Sequence, residues 1–142
     1  MVAYLVDGNN VMAQRVGWHK DRSGARRRLV DELSRFARSE GVPVEVVFDG
    51  APDERVPEGS TATGVRVHYA ARGSDADTRI KHLVERSPDR HSLVVVTSDR
   101  ALADHVRRLG ARVIRSGELR RRLDAPGEVG AAEDQPGTSP PD

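Results

Sequence analysis

Residues 3–48, AYLVDGNNVMAQRVGWHKDRSGARRRLVDELSRFARSEGVPVEVVF, hold the pattern that decides the fold. Two short apolar runs, AYLV at 3–6 and VEVVF at 44–48, flank the amphipathic stretch SGARRRLVDELSRFARSEG. There Leu29, Leu33, Phe36 and Ala37 recur at helical spacing, Asp21 or Ser23 is suited to cap the start, and Gly41 to end it. Strand, helix and strand in that order read as a βαβ unit.

Outward from this unit the alternation continues. VRVHY at 65–69, SLVVVT at 92–97 and ARVI at 111–114 are three further candidate strands. Helices are expected from about Asp75 to Arg86 with Ile80, Leu83 and Val84 inward, and from about Asp99 to Leu109 with Leu102, Val106 and Leu109 inward. A short last helix covers Ser116 to Leu123. The near-continuous Val, Leu and Phe of the first, second and fourth runs suit a parallel sheet covered on both faces, so the fold class is α/β. The stretch APDERVPEGSTATG at 51–64 shows no helical pattern, which leaves VRVHY free to be irregular or antiparallel.

The chain has 142 residues, 37% hydrophobic and 32% charged, which describes one soluble globular domain. Nothing approaches the roughly 20 apolar residues of a membrane span, and the first residues carry no basic leader. With no cysteine, disulfides, thiolate metal sites and cysteine nucleophiles are excluded, and a cytoplasmic protein is expected. All 23 Lys and Arg precede Asp124, whereas five of the 22 acids, Asp124, Glu128, Glu133, Asp134 and Asp142, lie from there on. Residues 1–123 therefore form a basic domain of net charge +6, and 124–142, rich in Pro, Gly and acids, read as a disordered tail. Arg supplies 21 of the cations, which favours bidentate contacts to phosphates.

The carboxylates follow the strands. Asp7 directly follows AYLV, Asp49 directly follows VEVVF, Asp75 and Asp77 come a short loop after VRVHY, and Asp99 sits two residues past Thr97. In an open α/β sheet the ligand site lies beyond the carboxyl ends of the strands, where strand order reverses. Acids gathered there would repel one another unless cations neutralised them, and oxygen-only donors suit Mg²⁺ or Mn²⁺. Such ions serve phosphodiester hydrolysis. Asp99 ahead of RALADHV and Asp75 ahead of ADTRI also suit helix caps, and Asp7-Gly8 and Asp49-Gly50 suit turns. Simple capping does not explain why acids close every candidate strand but the last.

Taken in order, VDGNNVM, VVFDG, GSDADTRI and VTSDR resemble the NYN group of PIN-like nucleases, most closely its YacP-like branch, over residues 1–123. The resemblance implies a PIN-like three-layer fold with a mainly parallel sheet of order 3-2-1-4-5, and a metal-dependent ribonuclease, most simply an endoribonuclease. It implies Asp7, Asp77 and Asp99 as catalytic metal ligands for Mg²⁺ or Mn²⁺. Asn10 would hold substrate or orient Asp7, and Asp49 and Asp75 would support. RNA is the implied partner, and whether cleavage takes place on the ribosome is left open. Two departures stand out: Thr78 and Lys81 occupy positions where YacP-like sequences usually carry acids. The alternative is therefore a non-catalytic RNA-binding module with a decayed metal site.

Arg72, Arg79, Lys81 and Arg100 flank the acids and are candidate phosphate contacts. Arg26, Arg27 and Arg28 read as solvated cations on the outer face of their helix. Trp18 and Tyr69 suit base stacking or ordinary packing, and the five histidines show no metal-like pairing. No GxGxxG or GxxxxGK[ST] loop is present, which argues against a nucleotide cofactor. A phosphatase of similar shape would need an acid nucleophile in a DxD arrangement, and the first motif is DGN.

Overall fold

The computed structural model describes residues 2–61, 63–70 and 73–125. Its strands are β1 (Ala3–Asp7), β2 (Val44–Phe48), β3 (Gly59–Ser60), β4 (Val65–Tyr69), β5 (Leu93–Val96) and β6 (Arg112–Ile114). Its helices are α1 (Gly8–Met12), α2 (Arg22–Glu40), α3 (Ala76–Arg86), α4 (Arg100–Arg108) and α5 (Ser116–Asp124). Short 3₁₀ turns at Trp18–Lys20 and Arg90–Ser92 precede α2 and β5.

The sheet runs β3-β4-β2-β1-β5-β6. The five expected strands thus stand in the expected order, 3-2-1-4-5 in their own numbering, and β3 is an addition at the edge. Every pairing is parallel except β3 with β4. The VRVHY strand is regular and parallel to β2, with Val44 opposite Val65 and Phe48 opposite Tyr69. A parallel return needs a connection of about a dozen residues or more. Residues 49–64 supply that length as loop, and β3 within them takes the antiparallel place.

Alternation along the strands divides the core. Val6, Val44, Val46, Phe48, Val65, Val67 and Val96 pack with α2, Met12 and Leu119 on one face, while Leu5, Val47, Leu93 and Val95 pack with α3 and α4 on the other. Helix α2 starts where Asp21 accepts the Gly24 N–H and ends at Gly41, whose φ of 67° suits a residue without Cβ. Beneath it lies a charged network. Buried Glu32 accepts from Arg15 and Arg120 at 3.0 Å each, and both arginines reach Asp124 at 3.2 Å. Asp124 is thus the last residue of α5 and is tied to the body, while residues 126–142 of the expected tail lie outside the described residues.

Gly8 shows why the first motif carries a glycine. A Cβ there would sit 2.6 Å from two ring carbons of Phe48 and 2.9 Å from the Val47 carbonyl oxygen. Phe48 is fully buried and cannot yield. Gly8→Ala is expected to lower stability by about 1–3 kcal/mol through overpacking, as read by urea denaturation. An unchanged midpoint would show that α1 can lift off β2 freely.

Candidate active site at the carboxyl edge of the sheet

The chain leaves β1 toward β2 on one side and later returns to place β5 on the other, so strand order reverses at the β1–β5 boundary. Asp7 ends β1 at that boundary. Its Oδ2 accepts the Thr97 hydroxyl at 2.9 Å, which bridges β1 to the end of β5. Burial pushes the Asp7 carboxyl up to about 6, against the hydrogen bonds from Thr97 and the Asn10 backbone; the Asp49 and Asp99 carboxylates beside it push the same way as burial. Asp7, Asp49 and Asp99 therefore form one electrostatic group.

The two asparagines after Asp7 act as staples. Asn9 Oδ1 accepts the Asp49 N–H at 2.9 Å, which fixes the exit from β2. Asn10 Oδ1 accepts the Ser98 N–H at 2.7 Å and the hydroxyl of fully buried Ser116. Ser98 Oγ in turn accepts the Ser116 N–H at 3.1 Å. The ends of β1, β2, β5 and β6 are thereby locked together by the first motif. Asn9, Thr97, Ser98 and Ser116 were not among the candidate residues, because each acts on a segment distant in sequence.

Asp99 and Asp75 are both helix caps. Asp99 Oδ1 accepts the N–H groups of Ala101 at 2.9 Å and Leu102 at 3.2 Å, which leaves Oδ2 unengaged by the cap. Asp75 accepts the Thr78 N–H at 2.9 Å. Asp49 does more than support its own turn, since its Oδ1 accepts the Ala76 N–H at 2.7 Å and ties β2 to the start of α3. Asp77 lies in that first turn, with its Oδ2 3.1 Å from Lys81 Nζ. Its charge is already paired. Among the described residues, no three His, Cys, Asp or Glu side chains stand close enough to hold a metal ion together. The donor set itself is all carboxylate and hydroxyl oxygen, with half-buried Asp7 and Asp49 and exposed Asp99 repelling one another, and that chemistry suits a hard divalent cation.

The candidate cations divide. Arg100 is exposed at the start of α4, beside Asp99. Arg79 is turned toward the sheet, 3.4 Å from His68 Nδ1, while His68 Nε2 donates to Glu45 at 2.6 Å. That bond is the main cause holding the Glu45 carboxyl below its ordinary value. Arg72 lies outside the described residues. Arg26 is not solvated as its neighbours Arg27 and Arg28 are. Its guanidinium lies 5.9 Å over Phe48 and 5.8 Å over Tyr69, and it donates to the Asp49 carbonyl and to Asp53 at 3.4 Å. Its position three residues before Leu29 and seven before Leu33 was the signal for that inward face. Tyr69 is buried and donates its hydroxyl to the Val56 carbonyl at 2.6 Å, so it packs instead of offering a stacking surface.

No helix among the described residues is long and apolar enough to cross a membrane. The YacP-like NYN domain model matches residues 4–135. A comparison with curated proteins finds no match. Among solved structures, Rae1 (YacP) from Bacillus subtilis is similar, with 26% identity and a TM-score of 0.72 over 87% of this chain and 74% of that one. A crystal structure of a point variant of the same protein agrees, with 25% identity and a TM-score of 0.71 over 87% and 76% of the two chains. With its strand order, its acids at the carboxyl edge and a family match over nearly its whole length, the chain belongs to the YacP-like NYN family of PIN-like nucleases.

Proposed function

We propose that the protein is a metal-dependent endoribonuclease of the cytoplasm, with Asp7, Asp77 and Asp99 holding Mg²⁺ or Mn²⁺ at the sheet's carboxyl edge. The observation that carries this reading is the Asp7 carboxyl pushed up to about 6 by burial, with Asp49 and Asp99 adding to it at the point where strand order reverses. Bound there, a divalent ion would polarise the phosphoryl oxygen and make a nucleophile of water near neutral pH. The protein's part is positional. Thr97 orients Asp7, Asn10 clamps the Ser98 backbone and the Ser116 hydroxyl beside it, and Asp49 holds the start of α3, the helix that carries Asp77 in its first turn. Arg100 is the cation best placed to take a substrate phosphate, since Arg79 and Lys81 already engage His68 and Asp77. A circular single-stranded RNA tests the endonucleolytic mode, because it offers no end. Linear product with Mn²⁺, none with EDTA and none from circular DNA is expected; intact circles beside degraded linear RNA would make the enzyme an exonuclease.

One observation favours the second reading, an RNA-binding module without catalysis. Lys81 neutralises Asp77 where the family usually has a further acid, and no three-ligand group is preassembled among the described residues. The ion pair is partly open to solvent and joins neighbours on one helix, a weak kind of pair, so a divalent ion can displace it. Lys81→Gln removes a positive charge roughly 6 Å from a bound divalent ion, which in water corresponds to about 1.4 kcal/mol, or up to roughly tenfold tighter binding before salt screening. Calorimetric Mn²⁺ titration of the two proteins reads this. Equal affinities would show that Asp77 takes no part in holding the ion.

A further inference from the structure

Among the described residues, the 49–64 connection between two neighbouring parallel strands holds no helix and only the two-residue β3, and a loop of this length within a small domain commonly has a binding role. This one is held in place. Asp53 pairs with Arg26 at 3.4 Å and bridges to Val56, the Tyr69 hydroxyl reaches the Val56 carbonyl, and Val56 is 4% exposed. Between the loop and α2 opens a cavity of about 430 Å³, within the roughly 300–1,000 Å³ of small-ligand sites. Val30, Val56, Pro57 and Val67 form the apolar part of its wall. Its charged lining has two parts. Arg27 and Arg55 are exposed and, among the described residues, have no carboxylate within ion-pair distance. Asp31 and Glu58 are acceptors, and Glu58 is oriented by taking the Tyr69 N–H at 3.3 Å on Oε2.

Resting on the ribonuclease reading, we propose that this cavity takes one unstacked base of the RNA substrate, with the phosphates on either side held by Arg27 and Arg55. A base offers flat apolar faces to the valine and proline walls and N–H donors at its edge to the two carboxylates. A bare anion would meet Asp31 and Glu58 unfavourably, and a wholly apolar ligand would strip them of water with nothing in return. The loop begins at Asp49, within the acid group, so a strand leaving the carboxyl edge along it reaches the cavity. None of Asp7, Asp49, Asp77 or Asp99 lines the cavity, so it is separable from the chemistry.

The test is RNA binding in EDTA, read by fluorescence polarisation with a single-stranded RNA of about a dozen nucleotides, enough to span both places. The variants are Arg27→Ala with Arg55→Ala, and Ser60→Trp, which fills the cavity from its exposed edge. Both are expected to fold with wild-type melting temperatures and to bind RNA at least tenfold more weakly. The double variant should also lose about two counterions from the salt dependence. With Mn²⁺, they should cut a dinucleotide too short to reach the cavity at the wild-type rate. Thiouridine-substituted RNA should cross-link to the peptide containing residues 55–61. Unchanged RNA affinity in both variants, with wild type binding and cutting RNA, overturns the cavity proposal alone. Competition by inorganic phosphate as strong as by a mononucleotide overturns it too, as a plain anion site. If wild type neither binds nor cuts RNA, the ribonuclease reading falls and the proposal with it.

Discussion

Asp7→Asn is expected to make the protein more stable and unable to cut RNA. In the folded protein the Asp7 carboxyl is pushed up to about 6 from an ordinary 3.8, chiefly by burial. The folded state therefore binds more protons than the unfolded state between those two values, and stability falls as pH rises through that window. Above it, the ionised carboxylate costs up to roughly 3 kcal/mol. Asn keeps the volume and an acceptor for Thr97 but carries no charge. At pH 7.5 the variant should melt roughly 5–10 °C higher than wild type, and the gap should narrow as pH falls through the window and close by about pH 3, below both values, where Asp7 is protonated in both states. Added Mn²⁺ should raise the melting temperature of wild type only, because binding to the folded state is what shifts it. A variant that melts lower than wild type at pH 7.5 would mean that Asp7 is held by stabilising contacts, not by a cation it awaits.

Asp99→Asn separates capping from catalysis. The cap uses Oδ1 on the Ala101 and Leu102 N–H groups, and Asn retains that oxygen, so the melting temperature should hold within about 2 °C. A metal ligand and one negative charge are lost, and turnover should fall at least about 100-fold, since even outer-shell partners of a metal site cost 10–100-fold. RNA affinity in EDTA should be unchanged or stronger. Wild-type turnover in this variant, with contaminating nuclease excluded, would reduce Asp99 to a helix cap.

These two positions also show what was legible in the sequence. An acid at or just past the end of an apolar run is readable without a structure, because strand ends in a parallel sheet all face the same way; Asp7 and Asp49 directly follow their runs and Asp99 lies two residues past Thr97. The order of strands was readable only through the ordered motifs of the family. Partners distant in the chain were not. That Asn10 would clamp Ser98 and Ser116, or that Asp49 would cap α3, depends on which strands become neighbours, and no local pattern states it. Arg79 read as a phosphate contact because it flanks the acids in sequence, and which way α3 turns it on the sheet, toward His68, depends on packing that sequence position does not state. β3 escaped notice because two residues carry no periodicity.

The most direct measurement is the initial rate of cleavage of a single-stranded RNA as Mn²⁺ is titrated into metal-free protein, run beside Asp7→Asn and Asp99→Asn at equal RNA saturation. For wild type the rate should rise from zero to a plateau and return to zero with EDTA, while both variants stay near baseline although they bind RNA. Cleavage that persists in EDTA, or that follows the same curve in the variants, would contradict a metal-dependent site at the carboxyl edge.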